Sequence, residues 1–144
     1  MLCVRPVSIA RPVSELDAYC LLPRFLLACG PGVLMGSKLK SAGGYNGWGL
    51  LGDGTTTDSP TPVTANVGGA VELLATGNTH TCVVLVTGTL KCWGQNWWGE
   101  VGDGTTTNRL SPTTIDVGGT VQMLVAGGSH TCVYLVGDVL KCCA

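Results

Sequence analysis

From Val63 onward the apolar positions fall into short runs of strand length, and no window keeps an apolar stripe of helical period. Val71, Leu73 and Leu74, then Val83, Leu85 and Val86, are aliphatic runs separated by the turn Thr76-Gly77-Asn78-Thr79. Turn chemistry marks the remaining boundaries: Asp53-Gly54, the loop Ser59-Pro60-Thr61-Pro62, and Gly68-Gly69. The pattern predicts strands near 61–65, 70–75, 80–86 and 89–94, with no helix among them.

The same pattern is then written a second time. Tyr45–Gly94 corresponds without a gap to Gln95–Ala144, so that Gly52-Asp53-Gly54-Thr55 returns as Gly102-Asp103-Gly104-Thr105 and His80-Thr81-Cys82 as His130-Thr131-Cys132. A fixed period of this length marks units that stack beside one another, because one such unit cannot bury its apolar surface alone. Four short antiparallel strands in about 50 residues are the content of one propeller blade. The fold class is therefore all-β, with two β-propeller blades.

The hairpin between the last two strands fixes a register. A three-residue loop Val86-Thr87-Gly88, with Gly88 in the left-handed region, pairs Leu85 with Thr89, Val84 with Leu90, Val83 with Lys91 and Cys82 with Cys92. The cysteines then occupy a non-hydrogen-bonded pair, where α-carbons lie about 4.5 Å apart and a disulfide fits. Cys132 and Cys142 face each other likewise, with Asp138 in the place of Gly88. The alternative is a set of buried free thiols. Oxidised hairpins favour an extracellular or periplasmic protein over a cytoplasmic one, whereas Cys3, Cys20, Cys29 and Cys143, which have no evident partners, point the other way.

Composition narrows the choices. Charged residues are only 12% of the chain and glycines number 22, which suits a tightly turned β protein. From Ser41 onward three basic residues face seven acidic ones, a net of −4, which repels a phosphate backbone and excludes nucleic acid as the expected partner of the repeats. The apolar stretch Cys20–Gly36 contains Pro23, Arg24 and Pro31 and is too short for a membrane span. Leu26-Leu27-Ala28-Cys29 has the small-residue ending of a bacterial lipoprotein signal, but Pro23 and Arg24 interrupt its apolar region, so residues 1–35 read as a tail or a degenerate signal.

Leu51 to Thr57, then Ser59 to Val63, Val71 to Cys82 and Gly88 to Asn96 resemble the repeat of the regulator of chromosome condensation family. Residues 36–44 look like the remnant of a preceding repeat whose Cys and Trp are lost, and 45–94 and 95–144 are full repeats, the second ending as Cys142-Cys143-Ala144 where the pattern has Cys, Trp, Gly. Kelch repeats share the length and the Gly-Gly pair, but Gly68-Gly69 lacks the Tyr and Trp that follow in a kelch blade. The resemblance implies a seven-bladed β-propeller, of which two repeats and a remnant would be a fragment.

Chemistry is sparse in the sequence. His80 and His130, each two residues before a cysteine, suggest zinc, but the close cysteine pairs of zinc sites are missing; the repeat pattern implies a structural hydrogen-bonding role instead. Asp53 and Asp103 lack the spaced carboxylates of a calcium loop and read as turn residues. Trp48 and Trp98 recur at one repeat position and are expected in inter-blade packing. Trp97 replaces Gly47, is unique to its repeat, and is the aromatic residue expected on a binding surface. No catalytic, cofactor or metal constellation is recognised. The expected function is a non-catalytic protein-interaction module with an unidentified protein partner and self-association as a route to a complete ring; the alternatives are guanine nucleotide exchange on a small GTPase and a secreted lectin or enzyme inhibitor.

Overall fold

The structure, a computed structural model, describes residues 8–9, 11–12, 34–35, 38–41 and 43–144. Those residues form strands and turns without a helix. The strands are β1 (Ser8–Ile9), β2 (Arg11–Pro12), β3 (Leu34–Met35), β4 (Lys38–Ser41), β5 (Val63–Asn66), β6 (Val71–Thr76), β7 (His80–Leu85), β8 (Leu90–Gly94), β9 (Arg109–Ile115), β10 (Val121–Ala126), β11 (Thr131–Leu135) and β12 (Val139–Cys143). They build three antiparallel sheets in the orders β3-β4-β5, β2-β6-β7-β8-β9 and β1-β10-β11-β12.

The predicted strands lie within a residue or two of β5 to β8, and the β7–β8 register is Cys82 opposite Cys92, Val83 opposite Lys91 and Val84 opposite Leu90. Gly88 takes a φ of 84° and Asp138 a φ of 64°, which closes both hairpins in the left-handed region. The second hairpin opposes Cys132 to Cys142 in the same way.

The grouping of strands differs from the expectation that each repeat builds its own sheet. The first strand of a repeat belongs to the sheet before it: β9 of the second repeat pairs with β8 of the first, placing Ile115 opposite Leu90 and Thr113 opposite Cys92. β5 pairs with β4 in the same manner, with Ala65 opposite Leu39 and Val63 opposite Ser41. The reason is local. After β8 the loop 95–108 folds back on itself and delivers Arg109 opposite Gly94, so the chain adds an outer strand to the old sheet before crossing to start the next. Neighbouring repeats are thereby joined by a strand that the following repeat adds to the preceding sheet, while the sheets themselves stack.

The two cores lie on opposite faces of the middle sheet. Leu73, Ala75, Cys82, Val84 and Leu90 pack against Val121, Leu124, Ala126, Val133 and Leu135 of the second repeat. Val71, Val83, Leu85 and Trp93 pack with Leu39, Ala65 and Val67 on the other side. Hence every residue of β7 is buried, while β11, of nearly the same sequence, alternates between buried and half-buried. Sequence identity and burial part company here because β7 has a sheet on each face and β11 on one. Of residues 1–35, β1 pairs with β10 and β2 with β6, adding short strands to both sheets; Cys3, Cys20, Cys29 and Leu26-Leu27-Ala28-Cys29 lie outside the described residues.

Candidate functional site

Two buried asparagines organise the loops at one end of the sheets. Asn46 Nδ2 donates within 3.1–3.2 Å to Thr55 O, Thr57 O and Asp53 Oδ1, its Oδ1 accepts Leu51 N–H at 2.9 Å, and its own N–H reaches Asp58 Oδ1 at 2.7 Å. Asn96 repeats the arrangement with Asp103, Thr105, Thr107, Val101 and Asn108. A fully satisfied polar hub of this kind holds a loop in one conformation, because each lost partner would strand a buried group. Neither asparagine was singled out from sequence, although their recurrence one period apart was the available signal.

Asp53 and Asp103 sit in these hubs as turn residues. Oδ1 of each accepts the backbone N–H and the hydroxyl of the threonine two residues on. Burial alone would raise the Asp53 carboxyl, but bonds from Thr55 and Asn46 outweigh it and hold it below the ordinary value. Asp103 is held down against burial by Thr105, Arg109 and Asn96, with Arg109 Nε ion-paired to its Oδ2.

The pinned loops display aromatic rings. Tyr45 meets Trp48 edge-on at 5.3 Å between centroids, and Trp48 meets Trp97 at 5.9 Å, also edge-on. Trp97 is 56% exposed. Trp98, expected in inter-blade packing, is 66% exposed in the turn of the second repeat, which has no following repeat against it in this structure. Trp48 is half-buried within the aromatic row and lies in neither core. The packing role belongs to Trp93, almost wholly buried, whose Nε1–H donates to Leu50 O at 2.9 Å. In the second repeat Cys143 stands in its place, its thiol pointing to Glu100 O at 3.6 Å and raised in pKa mainly by burial.

His80 joins the two repeats. Its Nε2 lies 2.8 Å from Thr131 Oγ1, and the Thr131 hydroxyl donates to Glu100 O at 2.7 Å. With that proton committed, the ring must donate from Nε2, which assigns the tautomer and leaves Nδ1 an unpartnered buried acceptor. Gly77 makes the room, since a β-carbon there would come within 2.3 Å of His80 Cε1. Burial first, and the nearby His130 second, lower the His80 pKa from 6.5 to about 4, so the ring is neutral. His130, the same residue one repeat later, is exposed.

Disulfides join Cys82 to Cys92 and Cys132 to Cys142, each with α-carbons 4.1 Å apart. Sulfurs bonded in this way are not free to ligate zinc with the histidines. The first bridge is buried, whereas Cys142 of the second is exposed.

The stacked sheets, the strand passed from one repeat to the next and the hairpin at each centre define an all-β protein of propeller blades. Residues 71–96 and 87–134 match models of the Regulator of chromosome condensation (RCC1) repeat, and over these residues the chain belongs to the RCC1-like repeat family. Among solved structures it is similar to human WBSCR16, with a TM-score of 0.66 and 20% identity over 81% of this chain. It is also similar to yeast RCC1 (Prp20) in its complex with Kap60, with a TM-score of 0.57 and 16% identity over 75% of the chain. A third match is Saccharomyces cerevisiae Prp20p, in a structure titled with its binding properties to Gsp1p and histones, with a TM-score of 0.55 and 19% identity over 74% of the chain. At these identities the likeness is one of fold. The chain spans 32%, 28% and 26% of the length of those three proteins. No curated protein sequence matches it.

Proposed function

We propose that this chain is a non-catalytic protein-interaction module: two blades of a larger RCC1-like propeller, presenting the rigid loop end of its sheets to a protein partner. The observation that carries the reading is the row in which half-buried Trp48 holds exposed Tyr45 and Trp97 edge-on, with exposed Trp98 next in the chain, on loops whose backbone is pinned by Asn46 and Asn96. Exposed aromatic rings held without conformational freedom are typical anchors of protein interfaces, since little entropy is lost when a partner covers them. The net charge of −4 on the repeats argues against nucleic acid as that partner.

The bridged hairpins support a second reading, a secreted propeller acting as a lectin or enzyme inhibitor in an oxidising compartment. Guanine nucleotide exchange on a small GTPase has less support, because hairpin disulfides do not suit a reducing compartment. Other copies of the chain could also supply neighbouring blades.

A photo-cross-linking residue placed at position 97 tests the module reading, with the same residue at exposed Val86, in the β7–β8 hairpin loop, as control. A discrete protein adduct from position 97 alone supports it. Adducts that are absent, or equal from both positions, overturn it.

A further inference from the structure

The loops that Asn46 and Asn96 hold share a hydrogen-bond pattern and differ in charge. Residues 52–59 carry two acids, Asp53 and Asp58, and no base, a net of −2; residues 102–109 carry one acid, Asp103, and one base, Arg109, a net of zero. Two positions account for the difference: Asp58 stands where the second repeat has Asn108, and Ser59 where it has Arg109. The hub does not need the extra charge. Asn46 N–H reaches Asp58 Oδ1 at 2.7 Å and Asn96 N–H reaches Asn108 Oδ1 at 2.9 Å, so a neutral amide makes the same bond as the carboxylate.

In the second loop two acceptors hold the arginine. Arg109 Nε is ion-paired to Asp103 Oδ2, and its Nη2 donates to Thr105 Oγ1 at 3.2 Å. The first loop keeps both acceptors, Asp53 Oδ2 and Thr55 Oγ1, and the same bonds from Thr55 to Asp53 Oδ1. It lacks the cation. Asp53 Oδ2 has no hydrogen-bond or ion-pair partner among the described residues, and the Ser59 hydroxyl is turned to Thr61 O at 2.7 Å. Against burial, only neutral donors hold the Asp53 carboxyl below its ordinary value, whereas Arg109 joins them at Asp103. The site lies where the two repeats meet, since Gly54, next to Asp53, donates its N–H to Leu110 O of β9 at 2.9 Å. Tyr45, 43% exposed, belongs to the same hub: it precedes Asn46 and lies across Gly47, where a β-carbon would meet its Oη at 2.1 Å.

We propose that Asp53 Oδ2 and Thr55 Oγ1 form a subsite for an arginine side chain of a protein partner, which takes the place that Arg109 takes in the next repeat. The guanidinium fork meets both oxygens, Asp58 adds a second negative charge, and Tyr45 offers an exposed ring for stacking. A lysine presents one point charge and matches a single acceptor. A metal ion is a poor occupant: two carboxylates are few for calcium, and no group of three His, Cys, Asp or Glu side chains able to hold a metal is found among the described residues. The inference rests on the interaction-module reading and specifies the chemistry of one contact that the partner makes.

The probe is the blocked tripeptide acetyl-Gly-Arg-Gly-amide, titrated into the full chain at low ionic strength and followed by amide NMR. Saturable shifts centred on Asp53, Thr55 and Thr57 are expected, with a dissociation constant on the order of 10 mM for a single exposed charged contact. The citrulline analogue, which loses the charge, should leave these amides unmoved, and the lysine analogue should bind about threefold more weakly or worse. Two variants copy side chains that the chain already carries at the equivalent position. Ser59→Arg installs the second repeat's own arginine and should weaken the peptide about tenfold or more; Arg109→Ser vacates Asp103 and should add a second set of shifts at Asp103 and Thr105. Absent shifts, an equal response to the citrulline or lysine peptide, or unchanged binding to Ser59→Arg would overturn the proposal. A specific adduct from position 97 alongside any of these results would show that the arginine subsite had failed while the module reading stood.

Discussion

Acid should loosen the contact between the repeats at one residue. His80 is nearly inaccessible to solvent, has an unpartnered Nδ1, and donates from Nε2 to Thr131. Its pKa falls from 6.5 to about 4. Between those values the unfolded chain binds a proton that the folded chain does not, so stability rises with pH across the window; the contribution is complete above 6.5 and is lost as pH falls through 4. At about 1.36 kcal/mol per pH unit the loss amounts to about 3 kcal/mol, a large share of the stability of a small domain. Asp53 and Asp103, held below their ordinary 3.8, lose their contributions only in more acid solution, which leaves the window to His80. Urea unfolding at closely spaced pH values between 7 and 4 is the assay, on the natural chain and on His80→Gln, whose amide still offers a donor to Thr131 but does not titrate. The natural chain should lose about 3 kcal/mol more than the variant over this interval. Equal slopes, or an NMR titration placing the His80 midpoint near 6.5, would refute the reasoning.

Other perturbations follow from the same geometry. Glu100 buries a carboxylate whose Oε1 has no partner, at the position where the first repeat has Leu50; Glu100→Leu should stabilise the chain by about 1–3 kcal/mol, measured as a raised urea midpoint with unchanged slope. Asn96→Ala removes the side-chain bonds to Asp103, Thr105, Thr107 and Val101 and should cost about 2–4 kcal/mol by the same measurement, while leaving the β7–β8 hairpin shifts intact. Mild reductant should open Cys132–Cys142 before Cys82–Cys92, because Cys142 is exposed and the Cys82–Cys92 bridge is buried; alkylation mapped by mass spectrometry reads the order. Complete removal of either bridge should cost about 2–3 kcal/mol, the loop-closure value for so short a ring.

The hairpin register was legible because it depends on local chemistry: a glycine able to take positive φ sets the loop, and the loop sets every pair up to Cys82 and Cys92. The passing of β9 to the preceding sheet was not, since it depends on where the loop 95–108 turns, and that is governed by the buried Asn96 and its partners five to twelve residues away. Trp93, within β8, is the indole that packs in a core, and its role was hidden because Cys143 stands in its place one repeat later. His80 and His130 share one sequence context and differ wholly in burial, because the second has no following repeat against it in this structure.

Residue-resolved hydrogen exchange tests the central claim, that each sheet is completed by a strand from the repeat that follows. By the alternation of the hairpin ladder, the amides of Leu90 and Cys92 point away from β7 toward β9, and those of Leu140 and Cys142 point from β11 toward the open edge. The account predicts strong protection at Leu90 and Cys92 and exchange near the rate of an unfolded chain at Leu140 and Cys142. Equal protection at the two pairs, or fast exchange at Leu90 and Cys92, would contradict it.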